Sequence, residues 1–305
     1  MPHVEANGIS LAWESHGEAG RPVILLVMGL GANLLLWPDE LVTLLAGAGF
    51  RVVRFDNRDC GRSTILDRLG TPNIAWAAIK HSLHVPLRAP YLLDDMARDT
   101  LGLLDALAIE RAHAVGASMG GMIAQNLAAA HPGRVASLTS IMSTTGARGL
   151  PGPTPAARRA LLQPPARRGD REGAVRRMMA VLTAISSRTH PPEAGWLRAF
   201  CERHIDRGNH PSGAARQLMA IVASGDRTRV VERIRVPTLV VHGDEDPLLK
   251  PACGEATARA ITAGGGDAKL EIVRGMGHDL PLALLPRIAA RIVAHCTSPV
   301  SAGAQ

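Results

Sequence analysis

A chain of 305 residues with 46% hydrophobic content is long enough for one large α/β domain carrying an insertion, and it excludes a disordered protein. The formal charge of +7 raises nucleic acid or an acidic substrate as partners, yet most basic residues are arginines gathered between Arg148 and Arg235, and aromatic residues make up only 3%. Base-stacking platforms need aromatics, so a solvated arginine-rich surface is expected and nucleic-acid binding is not.

Met1 to Ser10 lacks a basic stretch followed by an apolar one, so no signal peptide is expected. Strands at His3–Ala6 and Ile9–Glu14 flank Asn7-Gly8, a dipeptide suited to the tight turn of a hairpin. Val23-Ile24-Leu25-Leu26-Val27 is continuously apolar and reads as a strand buried on both faces. The surrounding stretch from Pro22 to Trp37 is broken by Gly29, Gly31 and Asn33, which rules it out as a membrane span. Helical spacing at Pro38–Ala48, a strand at Arg51–Phe55 and a polar turn from Asp56 to Ser63 follow. A long connection reaches Pro90, and Leu92–Leu107 reads as an amphipathic helix.

The apolar run Ala112–Val115 then leads into Gly116-Ala117-Ser118-Met119-Gly120-Gly121-Met122, with a helical pattern through Ala130. A serine flanked by glycines two residues away, between strand and helix, has the form of a nucleophile elbow. Side chains at Gly116 or Gly120 would collide with neighbouring backbone in so sharp a turn. Val135–Met142 gives a further strand, and the alternation reads as a parallel-rich α/β sheet.

Five prolines between Pro151 and Pro165 suit a hinge, and Glu172–Ser224 has a helical pattern. Residues 146–232 are therefore expected to form a helical cap inserted into a core made of residues 1–145 and 233–305. Strand and helix order returns with a strand at Pro237–Val241, a helix at Pro251–Thr262, a strand at Lys269–Val273 and a helix at Leu280–His295. Thr297–Gln305 reads as a mobile tail. Four scattered cysteines without C-x-x-C spacing fit reduced thiols, no metal site and a cytoplasmic location.

A serine hydroxyl needs a base to take its proton and a carboxylate to orient that base. Two loops at strand ends supply them. His242-Gly243-Asp244-Glu245-Asp246-Pro247 offers three carboxylates, and Gly275-Met276-Gly277-His278 places one of the twelve histidines on a glycine-flanked loop. His113, His131 and His242 read as structural at a strand start, a helix end and a strand end.

Together these segments resemble the serine-dependent α/β-hydrolase family over nearly the whole chain outside the insertion. Leu25–Gly29, Trp37–Glu40, Arg58–Thr64, Val115–Gly120 and Gly275–His278 are similar to its aclacinomycin methylesterase branch, whose substrate is a methyl ester on an aromatic polyketide. The resemblance implies an α/β-hydrolase fold with a mostly parallel eight-stranded sheet, flanking helices and a helical cap insertion. It implies Ser118 as nucleophile, Asp246 as acid in preference to Asp244, with Glu245 facing solvent, and His278 as base. Backbone N–H groups of Leu30 and Met119 would form the oxyanion hole, and Leu34, Trp37, Leu248 and Leu280 would line the pocket. Ser118 where dehalogenases and epoxide hydrolases carry Asp, and Ala117 where carbon–carbon hydrolases often carry Asn, point to ester chemistry. Leu30-Gly31 departs from the Gly-Asn expected after Met-Gly.

The expected activity is a cofactor-free carboxylesterase acting on a small-molecule ester, as monomer or homodimer. Alternatives are a half-ester hydrolase that pairs cap arginines with a substrate carboxylate, and a receptor or perhydrolase built on the same fold.

Overall fold

The computed structural model describes residues 2–74, 76, 85 and 87–298. Strands β1 (His3–Ala6) and β2 (Ile9–His16) pair antiparallel with Ala6 opposite Ile9, closed by Asn7 and Gly8, both at positive φ. Asn-Gly is the pair that tolerates this conformation at both turn positions. β2 runs antiparallel to β4 (Arg51–Phe55). From there β4, β3 (Val23–Val27), β5 (Ala112–Ala117), β6 (Val135–Ile141), β7 (Thr238–Gly243) and β8 (Ala268–Val273) are parallel neighbours. The sheet order is β1-β2-β4-β3-β5-β6-β7-β8.

Ten α-helices are present among the described residues: α1 (Asp39–Gly47), α2 (Leu93–Ala106), α3 (Met119–Ala130), α4 (Pro155–Leu161), α5 (Arg171–Ile185), α6 (Ala194–Arg207), α7 (Pro211–Ser224), α8 (Thr228–Val231), α9 (Pro251–Ala263) and α10 (Leu285–Thr297). None of the helices among these residues is long and apolar enough to cross a membrane.

Period-two alternation divides the core. Val23, Leu25 and Val27 pack with Met96 and Leu103 of α2 and Ile123 and Leu127 of α3, whereas Ile24 and Leu26 pack with Leu41 and Leu45 of α1 and Ile288 and Ile292 of α10. At about 1.5–3 kcal/mol for each buried aliphatic side chain, β3 depends on helices covering both faces.

Two helix boundaries depart from the sequence reading. The proline-rich hinge contains α4, because Pro155 occupies the first turn, where its missing N–H costs nothing, and the Thr154 hydroxyl accepts from Ala157 N–H. The last helix starts at Leu285, after a 3-10 turn at Leu282–Leu284, since Pro286 is tolerated only within a first turn. The part of the expected tail beyond residue 298, and residues 75, 77–84 and 86 of the long connection, lie outside the described residues.

All of α4–α8 lies between β6 and β7, and the loops after β3, β5, β7 and β8 meet at the ends of their parallel strands. Ligands of open α/β sheets bind at this edge.

Candidate active site

Ser118 follows β5 with φ 55° and ψ −119°, a strained conformation for a residue with a Cβ, costing about 1–3 kcal/mol. Its surroundings impose that strain. The Ser118 N–H donates to the Ile141 carbonyl at 2.9 Å, and its own carbonyl accepts from Gly121 N–H (3.0 Å), Met122 N–H (3.2 Å) and Ser143 Oγ (2.8 Å). The turn is tight enough that a Cβ on Gly116 would stand 2.2 Å from the Gly120 carbonyl oxygen, and one on Gly120 would stand 2.0 Å from the Val27 oxygen. Glycine at both positions is a steric requirement of the crossing between the elbow and β3.

Ser118 Oγ lies 3.0 Å from His278 Nε2, and His278 Nδ1 lies 2.7 Å from Asp246 Oδ2. The carboxylate can only accept, so Nδ1 carries the proton and the Nε2 lone pair faces the serine hydroxyl. Asp246 is almost fully buried, and its Oδ1 accepts from the N–H groups of Leu248 and Leu249, each at 2.8 Å. Burial alone would raise this carboxyl; the charge of His278 and the hydrogen bonds from His242 and His278 outweigh it and hold the group strongly below the carboxylate range.

The three carboxylates of the loop after β7 separate clearly. Asp246 meets His278, while Asp244 Oδ1 accepts from Gly275 N–H at 2.7 Å and so braces the turn before the histidine. Glu245 lies on the open side of the loop, where it accepts from the N–H groups of Arg188 and Thr189 and from Thr189 Oγ1.

His242 has more than a strand-end role. Its Nε2 lies 2.7 Å from the Leu249 carbonyl and 3.4 Å from Asp246 Oδ2, with both side chains fully buried. A carbonyl only accepts, so Nε2 bears the proton and leans on Asp246. The i, i+4 spacing of His242 and Asp246 was visible in the sequence, but it identifies a contact only once the loop is known to fold back.

Gly29 borders the serine: a Cβ there would stand 3.2 Å from Ser118 Cβ and 3.7 Å from its Oγ. Neither Leu30 N–H nor Met119 N–H donates to a group among the described residues. For Met119 this follows from its place at the first turn of α3, where helix amides have no partner of their own. Leu30, Leu248 and Leu280 are partly exposed, whereas Leu34 and Trp37 are completely buried. Trp37 packs with Ile24, Leu26 and Leu41 on the α1 side of the sheet, which leaves no atom of its side chain open to a ligand.

Two arginines of the helical segment are spent on carboxylates of the chain itself. Arg207 Nε lies 2.9 and 3.1 Å from the Asp56 oxygens, and Arg216 donates to both Asp59 oxygens at 2.7 and 2.8 Å, with all four side chains buried. Arg171, Arg198 and Arg203 pair at the surface with Asp206, Glu172 and Asp39.

A family model of the alpha/beta hydrolase fold matches residues 22–282. The chain is 29% identical to rhodomycin D methylesterase DauP of Streptomyces sp. over 94% of its length and 95% of that protein's. It is 29% identical to a putative carbamate hydrolase, RutD, of Variovorax paradoxus, over 88% of the chain and 89% of that protein. In structure it resembles the enol-lactonase of Burkholderia xenovorans LB400, with a TM-score of 0.71, 24% identity, and coverage of 97% of this chain and all of the other.

Proposed function

Since the chain belongs to the α/β-hydrolase fold family, we propose that this hydrolase is a serine carboxylesterase, cleaving a carboxylic ester of the methyl or aryl type through an acyl-enzyme. The observation that carries the reading is the unbroken line from Ser118 Oγ through His278 to Asp246, at 3.0 and 2.7 Å. Similarity to the rhodomycin D methylesterase favours a methyl ester among the possible substrates.

In this reading His278 Nε2 takes the Ser118 proton as Oγ attacks the ester carbonyl. Asp246 keeps Nδ1 protonated and stabilises the imidazolium that forms. Charge developing on the carbonyl oxygen is met by the N–H groups of Met119 and Leu30, each donor worth about 2.7–4 kcal/mol in the transition state. His278 then returns its proton to the departing alcohol oxygen, and water activated by the same imidazole frees the acid. The helices between β6 and β7 act as a cap over the substrate, and Leu30, Leu248 and Leu280 offer it partly open apolar surface.

Ser118→Ala tests this directly. Turnover of an activated aryl ester is expected to fall by roughly 10⁴-fold or more with the thermal melt unchanged. A fluorophosphonate should label the wild type at Ser118 and leave the variant unmarked, and substantial activity in the variant overturns the assignment. A panel of methyl, short-acyl, aryl and half-ester substrates then ranks the acyl and alcohol groups.

A further inference from the structure

Three amides follow Gly29 in the loop beside Ser118, and they have different fates. Gly31 N–H donates to Gln217 Oε1 at 2.7 Å, Ala32 N–H donates to the Gly29 carbonyl at 3.3 Å, and Leu30 N–H has no acceptor among the described residues. Gln217 belongs to α7, lies 186 residues further along the chain, and is completely buried. Its Nε2 donates to the Arg58 carbonyl at 2.7 Å. Because a backbone N–H can only donate and a carbonyl only accept, these two partners fix which end of the amide faces which.

The same loop is held to the helical segment at two further points. Gly31 has φ of 65°, and a Cβ on it would stand 3.2 Å from Ala214 Cβ of α7, so glycine lets the loop and helix meet. Asn33 Nδ2 donates to the His204 carbonyl of α6 at 2.9 Å. On the sheet side, Asn57 Nδ2 grips the Met28 carbonyl at 2.9 Å. Met28 is thus anchored from the core and Gly31 from α7, with Gly29 and Leu30 stretched between the anchors.

We propose that Gln217 is a positioning residue for the oxyanion loop: by taking the Gly31 N–H it fixes the turn that leaves the Leu30 N–H free for the substrate's carbonyl oxygen. The inference rests on the esterase reading above. Without Gln217, Gly31 N–H is a half-buried donor that loses its partner, and the loop must turn to satisfy it from another acceptor or from solvent. Any such turn moves the adjacent Leu30 amide, and an oxyanion donor acts only within about 2.7–3.1 Å of the oxyanion. The penalty therefore appears in the transition state more than in substrate binding.

The test compares Gln217→Met, which keeps the side chain's length and removes both hydrogen bonds, with Gln217→Glu, which in its protonated form restores an acceptor for Gly31 and a donor for Arg58. For Gln217→Met, kcat on an aryl ester is expected to fall roughly tenfold to a hundredfold with KM within about threefold, less than deleting a donor outright. Affinity for a trifluoromethyl ketone, which forms the oxyanion, should fall by the same factor as kcat/KM, while affinity for the product carboxylic acid holds. For Gln217→Glu, kcat relative to wild type should be highest at low pH and decline as the buried carboxyl ionises.

Wild-type kcat in Gln217→Met overturns the proposal. So does a loss in which ketone and product affinities weaken equally, because that pattern means only disturbed packing. If Gln217→Met does not accumulate as folded protein, the pH course of Gln217→Glu decides alone, and a ratio independent of pH overturns the idea. Should the wild type cleave no ester and Ser118 resist the fluorophosphonate, the esterase reading itself has failed and takes this inference with it.

Discussion

Arg216→Met isolates what the buried ion pairs do. Arg216 is completely buried on α7, donating from Nε and Nη2 to the two oxygens of Asp59 and from Nη1 to the Gly70 carbonyl at 2.8 Å. Burial alone would raise the Asp59 carboxyl, but Arg216, the Leu66 N–H and the Tyr91 hydroxyl outweigh it and hold the group below its ordinary value. Removing the arginine strands a buried carboxylate with two neutral donors, a loss of about 3–5 kcal/mol. An unfolding entropy near 2.1 cal/mol/K per residue gives about 0.64 kcal/mol/K for 305 residues, so the melting temperature should drop by roughly 5–8 °C. The Asp59→Asn/Arg216→Met double variant, with no charge left to strand, should regain most of that loss. The sign with pH is also fixed: a depressed carboxyl contributes stability above its unfolded value of about 3.9 and loses it as pH falls. In Arg216→Met burial is no longer outweighed and Asp59 takes up a proton at higher pH, so the gap between wild type and variant should narrow as pH falls from neutrality through pH 4. Melts followed by circular dichroism across pH 3.5–8 measure all three effects. A drop under 2 °C for Arg216→Met at pH 7, or a double variant no better than the single, refutes the reasoning.

Gly120→Ala places a Cβ 2.0 Å from the Val27 carbonyl oxygen, a backbone atom that cannot swing aside. It should therefore lower the melting temperature by at least as much as Arg216→Met and abolish ester turnover; a folded, active variant would contradict the close crossing. Asp279, beside His278, has its carboxyl raised to about 6 by burial, against the hydrogen bonds from Ser187 and Gly277 that favour the charged form. A raised carboxyl adds stability below about pH 4 and loses it as pH climbs through 6, to the extent of about 3 kcal/mol. Asp279→Asn can still accept from Ser187 N–H, so its melting temperature should exceed wild type at pH 8 and converge with it near pH 4, and a difference that does not vary with pH rules this out.

What the sequence made legible, and what it did not, follows from the range of each interaction. β3 was readable because five consecutive apolar residues can be satisfied only by cover on both faces. Ser118, Asp246 and His278 were readable because each sits in a local pattern that marks a strand end, and the family order joins the three. Trp37 shows the limit. Whether an apolar side chain after β3 points to a ligand or into the core depends on which face α1 covers, and no local pattern carries that. Gln217 marks the limit more sharply. A glutamine inside a helical pattern looks like solvent surface until α7 is docked against a loop 186 residues away.

The buried ion pairs bear on chemistry as well as on stability. Replacing such a pair by neutral groups is often close to neutral in stability, so Arg207–Asp56 and Arg216–Asp59 are poorly explained as stabilising devices alone. Their geometry points to registry. Arg216 is adjacent to Gln217, which holds Gly31, and Arg207 lies one turn beyond His204, whose carbonyl holds Asn33. Asp56 also accepts from the Leu34 N–H at 2.8 Å, so one carboxylate fixes both α6 and the end of the same loop. A parallel grip acts on the other side of the site, where the Ile185 carbonyl accepts from His278 N–H at 2.8 Å and Ser187 Oγ donates to the Gly275 carbonyl at 2.5 Å. Helices between β6 and β7 therefore position the loop that carries His278 and the loop that borders Ser118. In that case the Asp59→Asn/Arg216→Met variant should recover the melting temperature yet stay severalfold below wild type in kcat, because stability returns with neutrality but the bidentate fixing of α7 does not. Steady-state kinetics on the double variant beside its melt separate the two roles. Full recovery of both would reduce the pair to a stability element and leave Gln217 to hold its loop unaided.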